Sequence, residues 1–277
     1  MMFNAKIEKD HIVEWIKEYF KENHCRGAVL GISGGKDSGV VAGLLVEALG
    51  AENVIGLTLP CHSQEKDANL AKLVAKKYGF ELLNLDLTPT FDTFVGNELF
   101  ADIKPPRPLN NDLSFADWKE HAFLNSNINL KPRLRMATTY YMAALLSELK
   151  GGVWLVAGTG NAAEYFVGYS TKWGDAGYDF NPIKAYTVQE VISIGEVIGV
   201  PPEVLYRTPD DGLSSMSDEE KMGLKYSDVH KIIRGDGEVS DYAYKKILAR
   251  HKVNQHKVKP IPYPEPITVK YVFVEDK

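Results

Sequence analysis

The chain has 277 residues, of which 44% are hydrophobic and 25% charged, and its formal net charge is −5. This length and composition allow one large core or two small ones, whereas the mild charge, without a basic face or tail, argues against binding nucleic acid or an anionic membrane. Two cysteines are too few for a disulfide framework or a zinc cluster, and no apolar run approaches the ~20 residues of a membrane span. We therefore expect a soluble, cytoplasmic protein.

Helical and strand patterns alternate along the first 157 residues. Apolar residues recur at helical spacing in segment 9–23, and short apolar runs bounded by glycine predict buried strands. The predicted strands are Ala28–Ile32, Val54–Leu59, Phe80–Leu85 and Val153–Ala157. The predicted helices are 9–23, Val40–Leu49, Asp67–Tyr78, Pro89–Leu99 and Arg133–Leu149, with a proline-rich loop over 101–112.

The strand pattern fades after Gly158. Helices are predicted near 187–198, 217–233 and 239–251, followed by an extended, proline-rich tail from Asn254. Strands separated by helices of 10 to 15 residues indicate a parallel sheet covered on both faces. We predict an α/β fold, an open doubly wound parallel sheet in one domain over 1–277. Its sheet core spans about 26–185, and a helical C-terminal part with the tail spans about 186–277.

A glycine-rich turn, SGGKDS, separates the first predicted strand from the helix that follows it. A Walker A loop would need glycine where Leu30 stands and a hydroxyl residue where Asp37 stands. The glycine spacing of the dinucleotide fingerprint is also absent. The turn therefore matches neither of these two common phosphate loops.

The residue types of the turn nevertheless suit a polyphosphate. Gly34 and Gly35 allow close backbone approach, the hydroxyls of Ser33 and Ser38 can donate to phosphate oxygens, and the helix N-terminus favours an anion. Asp37 would repel phosphate unless a cation lies between them, so we interpret it as a Mg²⁺ ligand. The alternative is that Asp37 only caps the helix. The predicted ATP-binding segment comprises Gly31, Ile32, Ser33, Gly34, Gly35, Lys36, Asp37 and Ser38.

This turn resembles the pyrophosphate loop of the ATP pyrophosphatases. Members of that superfamily cleave ATP between the α and β phosphates and adenylate a second substrate. The resemblance implies the type of reaction, but it does not identify the second substrate.

Three further segments resemble the NAD synthetases within that superfamily. They are Leu155–Ile183 with its TKWGD turn, NLKPRLRM at 129–136, and NQHKVKPIP near the C-terminus. The resemblance as a whole covers most of the chain, from about residue 8 to 265, with the segments in the family's order. The resemblance implies ATP contacts at Thr159 and at the position of Asp210, and deamido-NAD contacts at Arg133, Lys172, Asp179, His256 and Lys257. To the ATP contacts we add Lys184, which stands near the position of the family's ATP-contacting lysine. The resemblance also implies Mg²⁺ bound by Asp37 and Glu164, with Asp37, Glu164 and Lys172 as catalytic residues.

Some of these residues can be read without the family. Glu164 follows the fourth strand, at the sheet edge where ligands of open α/β folds bind. The alternative is a solvated glutamate in a first helical turn. Lys172 could be an ordinary surface lysine. Arg133 and Arg135 stand two residues apart and point in different directions on a helix. One of them would bind substrate and the other a phosphate or a structural carboxylate, and we favour Arg133 as the substrate-binding residue.

Two positions depart from the family pattern. Val188 stands where members commonly carry a lysine that contacts ATP, and Asp210 stands where they carry a hydroxyl residue. Lys184 or Lys36 could replace the missing charge. These departures leave open a nucleotide sensor with weak catalysis, and the loop alone also fits another ATP pyrophosphatase, such as a GMP synthetase-like subunit.

The resemblance implies amidation of deamido-NAD through an adenylate. It also implies a homodimer. Because the chain has no room for a glutaminase domain beside this fold, we expect ammonia to be the nitrogen source.

Overall fold

The computed structural model describes residues 3–63, 65–96, 115–207, 217–264 and 267. Four strands are formed: β1 (Cys25–Gly31), β2 (Val54–Thr58), β3 (Glu81–Asn84) and β4 (Val153–Val156). The helices that precede β4 are α1 (Ala5–Glu22), α2 (Lys36–Leu49), α3 (Glu65–Tyr78), α4 (Thr88–Val95) and α5 (Phe115–Lys150). Those that follow it are α6 (Ala162–Val167), α7 (Val188–Ile198), α8 (Pro202–Leu205), α9 (Asp218–Met222), α10 (Tyr226–Arg234) and α11 (Asp241–Val258).

The four strands form one parallel sheet in the order β3-β2-β1-β4. Val29 pairs with Ile55 of β2 on one side and with Val156 of β4 on the other. The chain therefore first winds outward from β1 to β3 and then crosses back to place β4 beside β1. This reversal leaves a crevice at the carboxyl ends of β1 and β4, where open α/β folds bind ligands.

Alternate side chains of each strand face opposite layers of helices. Ala28 and Leu30 pack in a core with residues of α1, α2, α3 and α7, including Ile16 and Leu44. Val29 points to the other face and packs with residues of α4 and α5. The predicted doubly wound parallel sheet with helices on both faces is confirmed.

A third cluster joins helices from the C-terminal part of the chain. Ala163 and Val167 of α6 pack with Val229 of α10 and Ile247 of α11. This packing sets α6, which follows β4, against α11. None of the helices in the described ranges combines the length and the apolar character that crossing a bilayer requires.

Several predicted boundaries were wrong. Helix α5 starts at Phe115 rather than near 133, and it continues through Pro132, a residue that normally interrupts a helix. The segment 217–233 forms two helices, because Gly223 adopts φ +60° and ends the first of them. The tail is helical as far as Val258 rather than extended from Asn254. The loop over 101–112 lies outside the described residues.

Candidate active site

A cavity of about 390 Å³ opens at the carboxyl edge of the sheet. Its walls come from the segments that follow β1, β2 and β4, from one side of α5, and from the start of α3. It therefore occupies the crevice that the strand order predicts. The glycine-rich turn after β1 forms part of its wall.

The turn is held in shape by its own serines. The hydroxyl of Ser38, which is buried, donates to the carbonyl of Gly35 at 3.0 Å and lies 3.2 Å from the hydroxyl of Ser33. Gly34 has φ +77°, and a Cβ there would lie 2.7 Å from the backbone oxygen of Asp67 in α3. Gly34 is thus required both by the backbone angle and by the close approach of α3.

Helix α2 begins at Lys36, directly after the turn. Its N-cap residue is Gly35, which has no side chain to accept hydrogen bonds from the first-turn amides. Those amides and the positive end of the helix dipole are consequently available to an anion in the cavity. This geometry supports the polyphosphate interpretation of the turn.

Two carboxylates, Asp37 and Glu164, face the same cavity from different elements. Asn161 connects them. Its side-chain amide donates to Asp37 Oδ1 at 3.3 Å, and its backbone amide donates to Glu164 Oε2 at 3.1 Å. Asn161 itself is fully buried and caps α6, so Glu164 is positioned by a capping box.

Charge is concentrated around these carboxylates. Lys36 Nζ lies 3.0 Å from Asp37 Oδ2, and only 6% of the lysine is exposed. Burial lowers the pKa of Lys36, but the charges of Asp37 and Glu164 outweigh burial and raise the pKa above its ordinary value. Burial and then the charge of Asp37 raise the pKa of Glu164 to about 8, against the opposite effect of Lys36. Lys36 is therefore the cation that interacts with both Asp37 and Glu164.

The donor set fits a magnesium ion. The described residues contain no cluster of three or more histidines, cysteines or acidic residues that could hold a metal alone. Magnesium, however, is usually bound by one or two carboxylates together with substrate phosphates and water. Asp37 and Glu164 provide that combination beside the glycine-rich turn, a phosphate-type turn of residues 33–38.

Part of the predicted site lies on the cavity wall. The predicted residues that line the cavity are Gly31, Ile32, Ser33, Gly35, Lys36, Asp37, Thr159 and Glu164. Lys184 is exposed, and its Nζ lies 4.9 Å from the ring centre of Tyr165 instead of at the cavity wall. Asp210 lies outside the described residues.

The structure brings four of the five residues predicted to contact deamido-NAD together beside the TKWGD turn. Arg133 Nε donates to the carbonyl of Lys172 at 3.3 Å, and Lys172 Nζ donates to the carbonyl of His256 at 2.8 Å. Lys257 Nζ donates to the carbonyl of Ser170 at 2.9 Å. These residues form a cationic cluster next to the cavity, although none of them lines it.

Asp179 lies apart from this cluster. Its Oδ1 accepts from the hydroxyl of Tyr140 at 2.9 Å, and its Oδ2 accepts from the backbone amide of Val156 at 2.7 Å. Both oxygens therefore already have partners in the protein. Its predicted contact with substrate would be made in addition to these bonds.

Several polar residues of the site were not predicted. Asp67, Asp175, Arg207 and Asp218 line the cavity, and Asn161 connects the two carboxylates. Arg135, which the sequence offered beside the favoured Arg133, also lines the cavity. Only Asn161 carried a readable local signal, because asparagine followed three residues later by glutamate is typical of a capping box. The others reach the cavity through tertiary packing.

Comparison with protein families gives one extensive match. Residues 8–262 match the model of a family described as NAD synthase. The chain is 31% identical over 264 residues to an NH(3)-dependent NAD(+) synthetase of Carboxydothermus hydrogenoformans, a match that covers 95% of this chain and 99% of the relative. It is 38% identical over 236 residues to the protein of the same name from Alkaliphilus oremlandii, covering 85% and 88% of the two chains.

A solved structure shares the architecture over nearly its whole length. It is the NMN synthetase of Francisella tularensis, which superposes with a TM-score of 0.80 at 27% sequence identity. The superposition covers 95% of this chain and 99% of that one. Similarity therefore extends over the sheet, the cavity and the C-terminal helices.

Proposed function

This chain belongs to the NAD synthase family, and we propose from that premise that it joins ammonia to the carboxyl group of deamido-NAD at the expense of ATP. The products would be NAD, AMP and pyrophosphate. It is a ligase that forms a C–N bond. One observation supports this proposal above the others: a phosphate-type turn and a pair of carboxylates open into the same cavity.

In the first step, the nicotinate carboxylate of deamido-NAD attacks the α-phosphorus of ATP. The bond between the α-phosphorus and the bridging oxygen breaks, and pyrophosphate leaves with that electron pair. The first-turn amides of α2 and the ammonium group of Lys36 would hold the polyphosphate while this bond exchange occurs. Alignment of two large anions is the main task of the protein here.

In the second step, ammonia attacks the acyl carbon of the adenylate, AMP leaves, and one proton is released. No side chain has to form a covalent intermediate. Asp37 and Glu164 would hold Mg²⁺ at this site, and when bound the ion would neutralise charge on the phosphate oxygens. The cationic cluster of Arg133, Lys172, His256 and Lys257 would bind the anionic dinucleotide.

We also propose a cytoplasmic homodimer. Family resemblance supports the dimer, as does the pair of exposed apolar side chains Leu124 and Ile128, one turn apart on α5. Two cysteines without a disulfide, Cys25 and Cys61, are compatible with a reducing compartment. The mass of the protein in solution tests the dimer directly.

A second candidate substrate is a mononucleotide. The structural match at a TM-score of 0.80 is an NMN synthetase, and NMN is the nicotinamide-bearing half of NAD. The acid form of NMN carries the same reacting carboxylate as deamido-NAD. The chemistry at the phosphate-type turn would be unchanged, so only the occupant of the second subsite differs.

We predict that the purified chain releases pyrophosphate from ATP with deamido-NAD and ammonium, and that glutamine does not replace ammonium. Cys25 lies in β1, so we do not expect it to act as the nucleophile of a glutaminase, and Cys25→Ser should keep full activity. Parallel reactions with the acid form of NMN and with xanthosine monophosphate identify the substrate. Faster turnover with the mononucleotide would favour the second candidate, and binding of ATP without turnover would favour a sensor.

A second test concerns the positive charge that is missing because Val188 stands where family members commonly carry an ATP-contacting lysine. Val188 is buried in the C-terminal cluster, and Lys184 is exposed beside Tyr165, whereas Lys36 lines the cavity. We predict that Lys36→Met raises the KM for ATP by about 10- to 150-fold, the usual value of a hydrogen bond to a charged group. Lys184→Met should change this KM less than twofold. Equal effects of the two substitutions would contradict the assignment of the charge to Lys36.

A further inference from the structure

Arg135 is a cavity residue that is held firmly in place. It lies on α5, and its guanidinium donates from Nε to the carbonyl of Leu59 at 3.0 Å and from Nη2 to the hydroxyl of Ser63 at 3.3 Å. Both acceptors belong to the segment after β2, and all three residues line the cavity. Two bonds to one segment fix the plane of the guanidinium at the wall.

The charge of Arg135 lacks a close counter-ion in the protein. Burial lowers the pKa of the guanidinium, and the charges of Cys61, Asp67 and Asp175 oppose this effect without outweighing it. In the parts of the chain that the structure describes, no carboxylate oxygen lies within 4.0 Å of it. Arg234, by contrast, lies 2.6 Å from Glu190. A partly buried cation without a counter-ion is costly unless an anion joins it.

We propose that Arg135 is a catalytic residue that binds a reacting oxyanion in the cavity. This inference rests on the proposed function and extends it. The oxyanion is an oxygen of the α-phosphate of ATP or of the nicotinate carboxylate, the two groups that must meet in the first step. Since both are negative, a fixed cation between them lowers their repulsion as the new P–O bond forms.

Arg133, two residues earlier, has a different environment. It is exposed, it does not line the cavity, and its Nε donates to the carbonyl of Lys172. The two arginines therefore separate into a residue at the cationic cluster and a residue at the reacting atoms. The sequence motif alone does not show which of the two arginines faces the cavity.

The competing explanation is that Arg135 is structural and only ties α5 to the segment after β2. The two roles differ in what they do to the free protein. A structural arginine contributes to stability, so Arg135→Met would lower the melting temperature of the free enzyme. A buried cation that has no counter-ion until the substrate binds lowers the stability of the free protein. The same substitution would then leave that temperature unchanged or raise it.

The experiment measures kinetics, ligand binding and melting temperature for the parent, Arg135→Met, Arg135→Lys and the control Arg26→Met. Arg26 is a fair control because it also donates to backbone carbonyls, those of Lys150 and Gly151, but at the opposite edge of the sheet. We expect Arg135→Met to reduce kcat/KM by about 10- to 150-fold with the melting temperature of the free enzyme maintained. Arg135→Lys should recover part of the loss, and Arg26→Met should behave as the parent.

Binding of a non-hydrolysable ATP analogue alone and of deamido-NAD alone identifies the oxyanion. The ligand whose affinity falls in Arg135→Met is the one that Arg135 contacts, and a fall in kcat with both affinities kept indicates contact only in the transition state. Unchanged kcat/KM, or a loss explained by a lower melting temperature, would overturn the inference. A parent that binds both ligands but makes no NAD would instead overturn the proposed function, and the binding comparison would still test Arg135.

Discussion

Asp37→Asn is expected to reduce turnover by roughly a hundredfold or more while the protein remains folded. If Asp37 and Glu164 share a magnesium ion, the amide removes one of two charged oxygen ligands at the phosphate-type turn. A divalent ion that stabilises the transition state by several kcal/mol would then be bound weakly or in the wrong place. Initial rates measured over a range of Mg²⁺ concentrations test this, and the loss should be largest when Mg²⁺ is limiting.

Opposing electrostatic effects are expected to leave the fold of Asp37→Asn intact. Lys36 loses the partner that lies 3.0 Å away, which is unfavourable for a buried cation. Glu164 loses a repelling neighbour at the same time, because the charge of Asp37 contributes to its raised pKa. Lys36 and Glu164 can then neutralise each other. The melting temperature should therefore stay close to that of the parent.

Asp10→Asn is a matched control. Asp10 also follows a lysine directly and lies 2.7 Å from Lys9 Nζ, but this pair is on α1, away from the cavity. Because Asp10 is exposed and Lys9 keeps a second partner in Glu47, this substitution should leave both turnover and stability nearly unchanged. If Asp37→Asn retains near-parent activity at limiting Mg²⁺, the assignment of Asp37 as a metal ligand is wrong.

The sheet could be predicted because each strand is a short apolar run that ends in a turn. Strands buried on both faces, such as β2, have this composition throughout. The sequence also marks the end of α11, which our prediction placed too early. Lys259 precedes Pro260, and the residue before a proline is disfavoured in helical conformation, so a helix ending at Val258 is the natural reading.

The start of α5 could not be predicted from the sequence in the same way. Pro132 interrupts the pattern, and only the packing of the folded chain carries the helix through it.

The glycine-rich turn could be predicted because its chemistry is local. Six consecutive residues supply the backbone angles, the hydroxyls and the helix start. Arg135 and Arg207 could not be assigned, since their approach to the cavity depends on how α5 and the segment after α8 pack against the sheet. Spacing shows that Arg133 and Arg135 diverge on a helix, but it does not show which of them faces the cavity.

Gly34→Ala is expected to remove at least about 99% of the activity with ATP. The new Cβ would lie 2.7 Å from the backbone oxygen of Asp67 and 3.0 Å from Leu70 Cβ, so the turn must move away from α3. The first-turn amides of α2 would move with it, and a displacement of about 1 Å from productive geometry can cost a hundredfold in rate. ATP binding and turnover measure the effect.

Gly79→Ala separates this steric effect from the backbone effect. Gly79 has the same φ of +77° as Gly34, but a Cβ at Gly79 meets nothing within 4 Å. In both variants an alanine in the left-handed conformation destabilises the folded protein by about 1–2 kcal/mol, and both should have a lower melting temperature. Only Gly34→Ala forces the turn against α3, so only Gly34→Ala should lose ATP binding. Equal activity in the two variants would mean that the close approach of Asp67 does not hold the turn in its phosphate-binding shape.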